Sequence, residues 1–169
     1  LTGNIEVFKG MQLKELNLEW CHNLEGDIQV LAGMNLKKLN LATDPFNGSK
    51  LTGNIEVFKG MQIKELNLFR CGQLTGNIDS LKDCPLTSLN LESCYKLEGD
   101  IESLKDCPLQ VLNLAGNYTN PSKFTGDIEV FKNMELTSLE LSYCNQLTGD
   151  IEVFKGMPLT SLVLQCLGY

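Results

Sequence analysis

The sequence of 169 residues is 43% hydrophobic, 7% aromatic and 21% charged, a mixture that excludes intrinsic disorder and is long enough to bury a core. Its formal net charge of −7 repels phosphate backbones, so we expect no nucleic-acid partner. No stretch approaches the roughly 18 consecutive apolar residues that a membrane helix needs, and no membrane span is predicted. Because the first residue is Leu1 rather than Met, we interpret the sequence as a processed product, an excised piece or part of a longer chain.

A recurring Leu-x-Gly-Asn/Asp-Ile string runs through the whole sequence. It starts at Leu1, Leu24, Leu51, Leu74, Leu97, Phe124 and Leu147, which gives five units of 23 residues and two of 27. We therefore predict a single domain, residues 1–169, with seven repeats: 1–23, 24–50, 51–73, 74–96, 97–123, 124–146 and 147–169.

The apolar rhythm changes within each unit. In the second unit, Asp27 precedes a short apolar stretch that ends near Gly33, which predicts an N-cap, a short helical segment and a Gly stop. In the first unit, Leu13, Leu16 and Leu18 lead into the alternation of a half-buried strand. One such coil cannot bury its apolar side alone, so stacked coils are predicted to create the core.

The run from Leu13 to Leu24 follows the pattern Leu-x-x-Leu-x-Leu-x-x-Cys-x-x-Leu, which resembles the leucine-rich repeat. The Leu-x-Gly-x-Ile element is similar to the plant-type subclass, whereas the Cys column is similar to the cysteine-containing subclass, so the pattern is a hybrid. The resemblance implies an α/β solenoid, a right-handed superhelix with a concave parallel β-sheet and short helical turns on the convex side. In most relatives the concave face binds other proteins.

One column on the predicted concave face is almost entirely Asn: Asn17, Asn40, Asn67, Asn90, Asn113, Glu140 and Val163. Stacked at the spacing of neighbouring strands, these side chains either offer a polar stripe to a ligand or satisfy one another in an amide ladder. A glycan or another regular surface is one ligand that the stripe would suit, together with Thr87, Thr137 and Thr160.

The columns beside the Asn column vary from unit to unit, which points to the concave side as the recognition face. Aromatic and Arg side chains dominate interface energetics. The predicted partner-binding residues on this face are Trp20, Lys38, Asn40, Glu65, Asn67, Phe69 and Arg70. Charges on the predicted concave face cancel, so the negative charge is expected on the convex side and the rims.

Two four-residue insertions, in Ala42 to Lys50 and in Ala115 to Lys123, predict loops on one rim, with Phe46 and Tyr118 at their tips as further partner-binding residues. The alternative is tolerated loop length without function. Each loop holds a glycosylation sequon, at Asn47 and Asn117, which favours secretion.

The seven Cys follow the repeat: Cys21, Cys71, Cys94 and Cys144 share one column, Cys84 and Cys107 another, and Cys166 stands one place early. We interpret them as free buried thiols of a reducing, cytoplasmic compartment, in conflict with the sequons, and leave the localisation open.

No cofactor or metal is predicted, because His22 is the only His and no Cys-x-x-Cys occurs. The column of Asn4, Asp27 and their equivalents suits helix capping better than calcium. No Ser or Cys has a plausible His partner, and the chain is interpreted as non-enzymatic.

The favoured hypothesis is a protein-interaction scaffold with a protein partner on the concave face and the two rim loops. The alternative is a structural role in which the solenoid ends self-associate, because Val163, Leu164 and Leu167 close the last unit without a polar cap.

Overall fold

The computed structural model describes residues 1–44, 46 and 48–165. Each coil contains a strand, a 3-10 helix and a second strand. The strands are β1 (Thr2–Asn4), β2 (Glu15–Asn17), β3 (Asn23–Asp27), β4 (Lys38–Asn40), β5 (Lys50–Asn54), β6 (Glu65–Asn67), β7 (Leu74–Asn77), β8 (Ser88–Asn90), β9 (Leu97–Asp100), β10 (Val111–Asn113), β11 (Lys123–Asp127), β12 (Ser138–Glu140), β13 (Leu147–Thr148) and β14 (Ser161–Val163). The 3-10 helices are η1 (Ile5–Phe8), η2 (Ile28–Leu31), η3 (Ile55–Phe58), η4 (Ile78–Leu81), η5 (Ile101–Leu104), η6 (Ile128–Asn133) and η7 (Ile151–Phe154).

The strands form two parallel sheets. The odd-numbered strands pair in the order β1-β3-β5-β7-β9-β11-β13, and the even-numbered strands pair from β2 to β14 in the same coil-by-coil fashion. In the even-strand sheet equivalent residues stand side by side, as Leu16 does with Leu39. The odd-strand sheet is staggered by two residues, so that Gly26 pairs with Leu51 rather than with its equivalent Gly53.

The core lies between the two sheets. The central leucine of each even-numbered strand from β2 to β12 points inward and is buried, and the isoleucine that opens each of η1 to η6 meets it from the other side. Because every coil contributes the same positions, the buried side chains form continuous columns along the solenoid. At the last described coil the columns are open, and Ile151 is 67% and Leu162 39% exposed.

The predicted N-caps are confirmed in all seven 3-10 helices. In each, the Asn or Asp before the helix accepts a hydrogen bond from the backbone N–H two residues on, as Asn54 Oδ1 does from Glu56 at 2.8 Å. The same side chain lies over the glycine of the next coil. A Cβ at Gly76, where φ is +119°, would come within 2.3 Å of Asn54 Oδ1, so the repeated glycine is required by the packing of coils.

The predicted solenoid of stacked coils is confirmed, with two differences in detail. The helical turns are 3-10 rather than α-helical, because only four residues separate most caps from the following turn. The side expected to carry only helical turns also carries the odd-strand sheet. No helix in the described part of the chain is long and apolar enough to cross a membrane.

The six cysteines among the described residues are free; five are buried, as predicted, and Cys21 is only partly buried. The thiols of Cys71 and Cys94 donate to backbone carbonyls of the preceding coil, to Leu41 at 3.2 Å and to Leu68 at 3.0 Å. Burial raises the pKa of Cys71 to about 12 and that of Cys107 to about 11. Cys166 lies outside the described residues.

Candidate interaction surface

A hollow of about 300 Å³ lies on the outer face of the even-strand sheet, across the first four coils. Of the predicted partner-binding residues it brings together Lys38, Asn40, Glu65 and Asn67. The other polar side chains that line it are Glu15, Asn17 and Ser88. Strand alternation explains this grouping. The central leucine of each even-numbered strand points into the core, so the residues before and after it, such as Lys38 and Asn40, point outward.

Charges alternate along one column of the hollow, where Glu15, Lys38 and Glu65 pair across neighbouring strands. Lys38 Nζ lies 2.9 Å from a Glu65 carboxylate oxygen, and both side chains are about half exposed. The hydrogen bond from Lys38 to Glu65, with the attraction between their charges, raises the pKa of Lys38. The hollow therefore holds an ion pair that water reaches.

Of the two alternatives for the Asn column, the amide ladder does not form. Instead the side-chain oxygen of each Asn accepts a hydrogen bond from the backbone N–H two residues on, in the same coil: Asn17 from Glu19, Asn40 from Ala42, Asn67 from Phe69, Asn90 from Glu92 and Asn113 from Ala115, at 2.9–3.1 Å. Short polar side chains bond their own backbone readily at a strand end, and this competes with bonding across strands. Among the described residues, the amide NH₂ groups of Asn17, Asn40, Asn67 and Asn90 donate to no protein atom.

Phe69 and Arg70 follow the hollow at the end of β6. The guanidinium carbon of Arg70 lies 5.2 Å from the centre of the Phe69 ring, within the range of a cation–π contact. Both side chains are partly exposed. The pair joins the hollow to the adjoining edge of the solenoid.

That edge, which we call the loop edge, consists of the links from the even-numbered to the odd-numbered strands: residues 20–23, 43–50, 70–73, 93–96, 116–123 and 143–146, of which 45 and 47 are not described. The remaining predicted residues lie here, with Trp20 62%, Phe46 92% and Tyr118 71% exposed. The sequon at Asn117 is structured, because Asn117 Nδ2 donates to the Tyr95 hydroxyl at 2.6 Å. The sequon asparagine Asn47 lies outside the described residues.

One backbone feature of the loop edge was not predicted. The residue that opens four of the links has a left-handed backbone: Trp20 at φ +62°, Arg70 at +60°, Ser93 at +60° and Tyr143 at +58°. This conformation favours glycine, and other residues adopt it at a cost of about 1–2 kcal/mol. Trp, Arg and Tyr carry no propensity that would have signalled it. Aromatic and Arg side chains thus stand where glycine would be more stable.

The negative charge is concentrated on one side of the solenoid. Most of the odd-strand sheet and its 3-10 helices lies in residues 1–8, 24–31, 51–58, 74–81, 97–104, 124–131 and 147–154, which contain twelve of the 21 acidic residues and no Lys or Arg. The sheet and helices hold three lysines outside these ranges: Lys50 and Lys123, which begin β5 and β11, and Lys132 near the end of η6. The prediction that the rims share this charge is wrong for the loop edge, whose one carboxylate is Asp44. Asp44 is buried, and its Oδ2 lies 2.7 Å from His22 Nδ1.

The described residues contain no group of three His, Cys, Asp or Glu that could hold a metal ion. The Asp27 column, which sequence spacing left open to calcium, uses one side-chain oxygen of each residue, from a carboxylate in Asp and from an amide in Asn, to cap the following 3-10 helix.

Comparison with known proteins bears on the fold. No protein-family model matches the chain, and no curated protein matches it in sequence. The structure is similar to the crystal structure of an internalin C2 from Listeria monocytogenes, with a TM-score of 0.63 and 20% identity over 99% of this chain and 70% of that one. The fold is therefore a leucine-rich-repeat solenoid.

Proposed function

We propose that the chain is a non-enzymatic scaffold that binds a protein partner through the hollow of the even-strand sheet and the adjoining loop edge. The observation that carries the proposal is the row of amide NH₂ groups of Asn17, Asn40 and Asn67, which line the hollow without an acceptor among the described protein atoms. Donors held on strands at regular spacing suit the carbonyl and carboxylate oxygens of a partner. Exposed aromatic side chains beside them add apolar contact area.

The test compares partner capture by the wild-type chain and by three variants. Lys38→Glu and Arg70→Glu reverse one charge each at the hollow and beside it, and Lys155→Glu makes the same charge change at an exposed position on the opposite edge. We expect the wild type and Lys155→Glu to capture the same proteins, as measured by quantitative mass spectrometry. Lys38→Glu and Arg70→Glu should capture about tenfold less of these proteins. Circular dichroism confirms that each variant is folded. Undiminished capture by both Lys38→Glu and Arg70→Glu contradicts the proposal.

A second candidate function, assembly through the solenoid ends, is supported by the apolar side chains of the last described coil. Ile151, Leu162 and Leu164 are 67%, 39% and 39% exposed, and β14 is the edge strand of its sheet. An uncovered edge strand with apolar neighbours pairs readily with another chain. Sedimentation velocity tests this: self-association that rises with concentration and disappears in Ile151→Lys supports it, whereas a concentration-independent monomer rules it out.

A further inference from the structure

The loop edge is a continuous surface. Between neighbouring links, Lys50 Nζ donates to Asn23 Oδ1 at 3.4 Å, and Lys96 Nζ donates to Gln73 Oε1 at 2.7 Å. The Asn117–Tyr95 hydrogen bond described above joins the next two links. Further along, the backbone N–H of Ser122 donates to the Tyr143 carbonyl at 3.0 Å. The links therefore lie side by side along one edge of the stack.

The charge of this edge is opposite to that of the whole chain. Its basic residues are Lys50, Arg70, Lys96 and Lys123, and the three lysines are exposed. Its single carboxylate, Asp44, is buried against His22 and is therefore hidden from a partner. The accessible charges within these links are therefore positive in a chain with a net charge of −7, and exposed acidic residues flank them, because Glu25 and Glu98 stand opposite Lys50 and Lys123 in the register of the odd-strand sheet.

Apolar groups alternate with these cations. The ring of Trp20 stands at the end of the edge nearest the first coil, and Phe46 and Tyr118 project from the two long links. Trp20 and Arg70 have left-handed backbone conformations, which glycine adopts at a lower free-energy cost.

We propose that the loop edge binds an acidic protein segment that carries aromatic or aliphatic side chains between its carboxylates. The carboxylates would pair with Lys50, Lys96 and Lys123, and the apolar side chains would pack on Trp20, Phe46 and Tyr118. A nucleic acid fits less well, because its dense phosphates would also meet the acidic odd-strand side. The inference rests on the proposed scaffold function and specifies the chemistry of the partner at this edge.

Trp20 supplies the measurement, because it is the only Trp of the chain and lies on the edge. The probe is a synthetic peptide of about 12 residues that alternates Glu with Phe and Ser, and its control replaces every Glu with Gln. We expect the Glu peptide to change the Trp20 emission with saturation, and the Gln peptide to bind at least about tenfold more weakly. Added salt should weaken the binding of the Glu peptide.

Two triple variants with equal net charge provide the control. Lys50→Glu/Lys96→Glu/Lys123→Glu reverses the loop edge, whereas Lys9→Glu/Lys59→Glu/Lys155→Glu reverses exposed lysines on the opposite edge. We expect the first to weaken peptide binding by about tenfold or more and the second by less than about threefold. Equal losses in both variants, or no saturable response to the Glu peptide, overturn the inference.

Heparin, added in place of the peptide, separates a protein partner from a polyanion. Tighter binding of heparin than of the Glu peptide, with the same dependence on the three lysines, overturns the assignment to a protein segment. Failure of this inference is distinguishable from failure of the scaffold function. If only the inference fails, the peptide does not bind at the loop edge, but the chain still captures partners in a way that depends on Lys38.

Discussion

Replacing Gly76 by alanine tests the packing of one coil on the next. The backbone of Gly76 has a φ of +119°, and an added Cβ would lie 2.3 Å from Asn54 Oδ1 and 3.0 Å from Ile55 Cγ1. The backbone conformation alone costs a non-glycine residue about 1–3 kcal/mol. Displacing Asn54 from its capping position adds about 1 kcal/mol. We expect Gly76→Ala to lower the free energy of unfolding by about 3 kcal/mol.

Gly60→Ala is the matched control. Gly60 also has a positive φ, +69°, but a Cβ there would meet nothing within 4 Å. Its expected cost is therefore only that of the left-handed conformation, about 1 kcal/mol. Urea titration followed by far-ultraviolet circular dichroism measures both changes. Equal losses in the two variants, to within about 0.5 kcal/mol, would refute the proposed contact between coils.

Asn54→Ala isolates the same contact from the other side. It removes a cap and should cost about 1 kcal/mol by itself. In the double variant with Gly76→Ala, the Oδ1 atom that the new Cβ would meet is gone. The loss of unfolding free energy in the double variant should therefore be about 1 kcal/mol smaller than the sum of the two single losses. Strict additivity would show that Asn54 and Gly76 do not interact.

Three further results are expected. In a Cys166→Ser background, a thiol reagent such as dithiobis-nitrobenzoate should label Cys21 of the native protein at least about tenfold faster than the buried thiols, because the thiolate is the reactive form and burial disfavours it; fast labelling of five or more thiols would contradict this. Burial raises the pKa of Cys71 to about 12 and that of Cys107 to about 11, against 9.0 for a free thiol, because it disfavours the thiolate. Above pH 9 the unfolded thiols ionise while the folded ones stay protonated, so each cysteine lowers the free energy of unfolding by about 1.4 kcal/mol per pH unit until its folded pKa is reached. Urea midpoints should therefore fall between about pH 9 and 10.5, and should fall less in Cys71→Ala/Cys107→Ala. Trp20→Gly should raise the free energy of unfolding by up to about 1 kcal/mol, because it removes a left-handed non-glycine residue that is mostly exposed, yet should weaken partner capture; a variant that is both less stable and fully binding would show that Trp20 serves packing.

Sequence periodicity predicts the solenoid because the same few positions in every unit have the same neighbours. The inward position of Leu16 and the capping position of Asp27 follow from strand alternation and cap chemistry alone. The odd-strand sheet was not predicted, since its strands, such as Leu74–Asn77, contain Gly and Asn and have low strand propensity. Pairing with the neighbouring coils supplies hydrogen bonds that a single coil cannot show. The extent of the domain and its repeats stays a prediction.

The candidate surface could be predicted only in part. Alternation places Lys38 and Glu65 on the outer face, but the distance of 2.9 Å between them depends on the register of β4 and β6. The concentration of carboxylates on the odd-strand side depends on knowing that those segments form one surface. The left-handed backbone that opens the links follows from the positions of the two strand ends that each link must join. The residue types at Trp20 and Tyr143 do not predict it.

The first four asparagines of the Asn column combine an oxygen that bonds the backbone with a nitrogen that bonds no described protein atom, whereas Asn113 Nδ2 donates to Glu92 Oε2 at 2.9 Å. The oxygen closes the strand end, and at Glu140 a carboxylate oxygen replaces it, accepting from the Ser142 N–H at 2.9 Å. A carboxylate can therefore do what the amide oxygen does for the fold. The amide nitrogen of Asn67 donates to no described protein atom and is open to water or to a partner.

This division predicts different outcomes for two substitutions of Asn67. Asn67→Asp keeps the acceptor for the Phe69 N–H and should change the free energy of unfolding by less than about 0.5 kcal/mol, whereas Asn67→Ala leaves that strand end unbonded and should cost about 1 kcal/mol. Both remove the donor, so both should weaken partner capture. Urea titration and capture measured on the same two variants separate the effects. Full capture by Asn67→Asp would mean that the amide groups of the hollow are not contacts, and that the column is there to end strands.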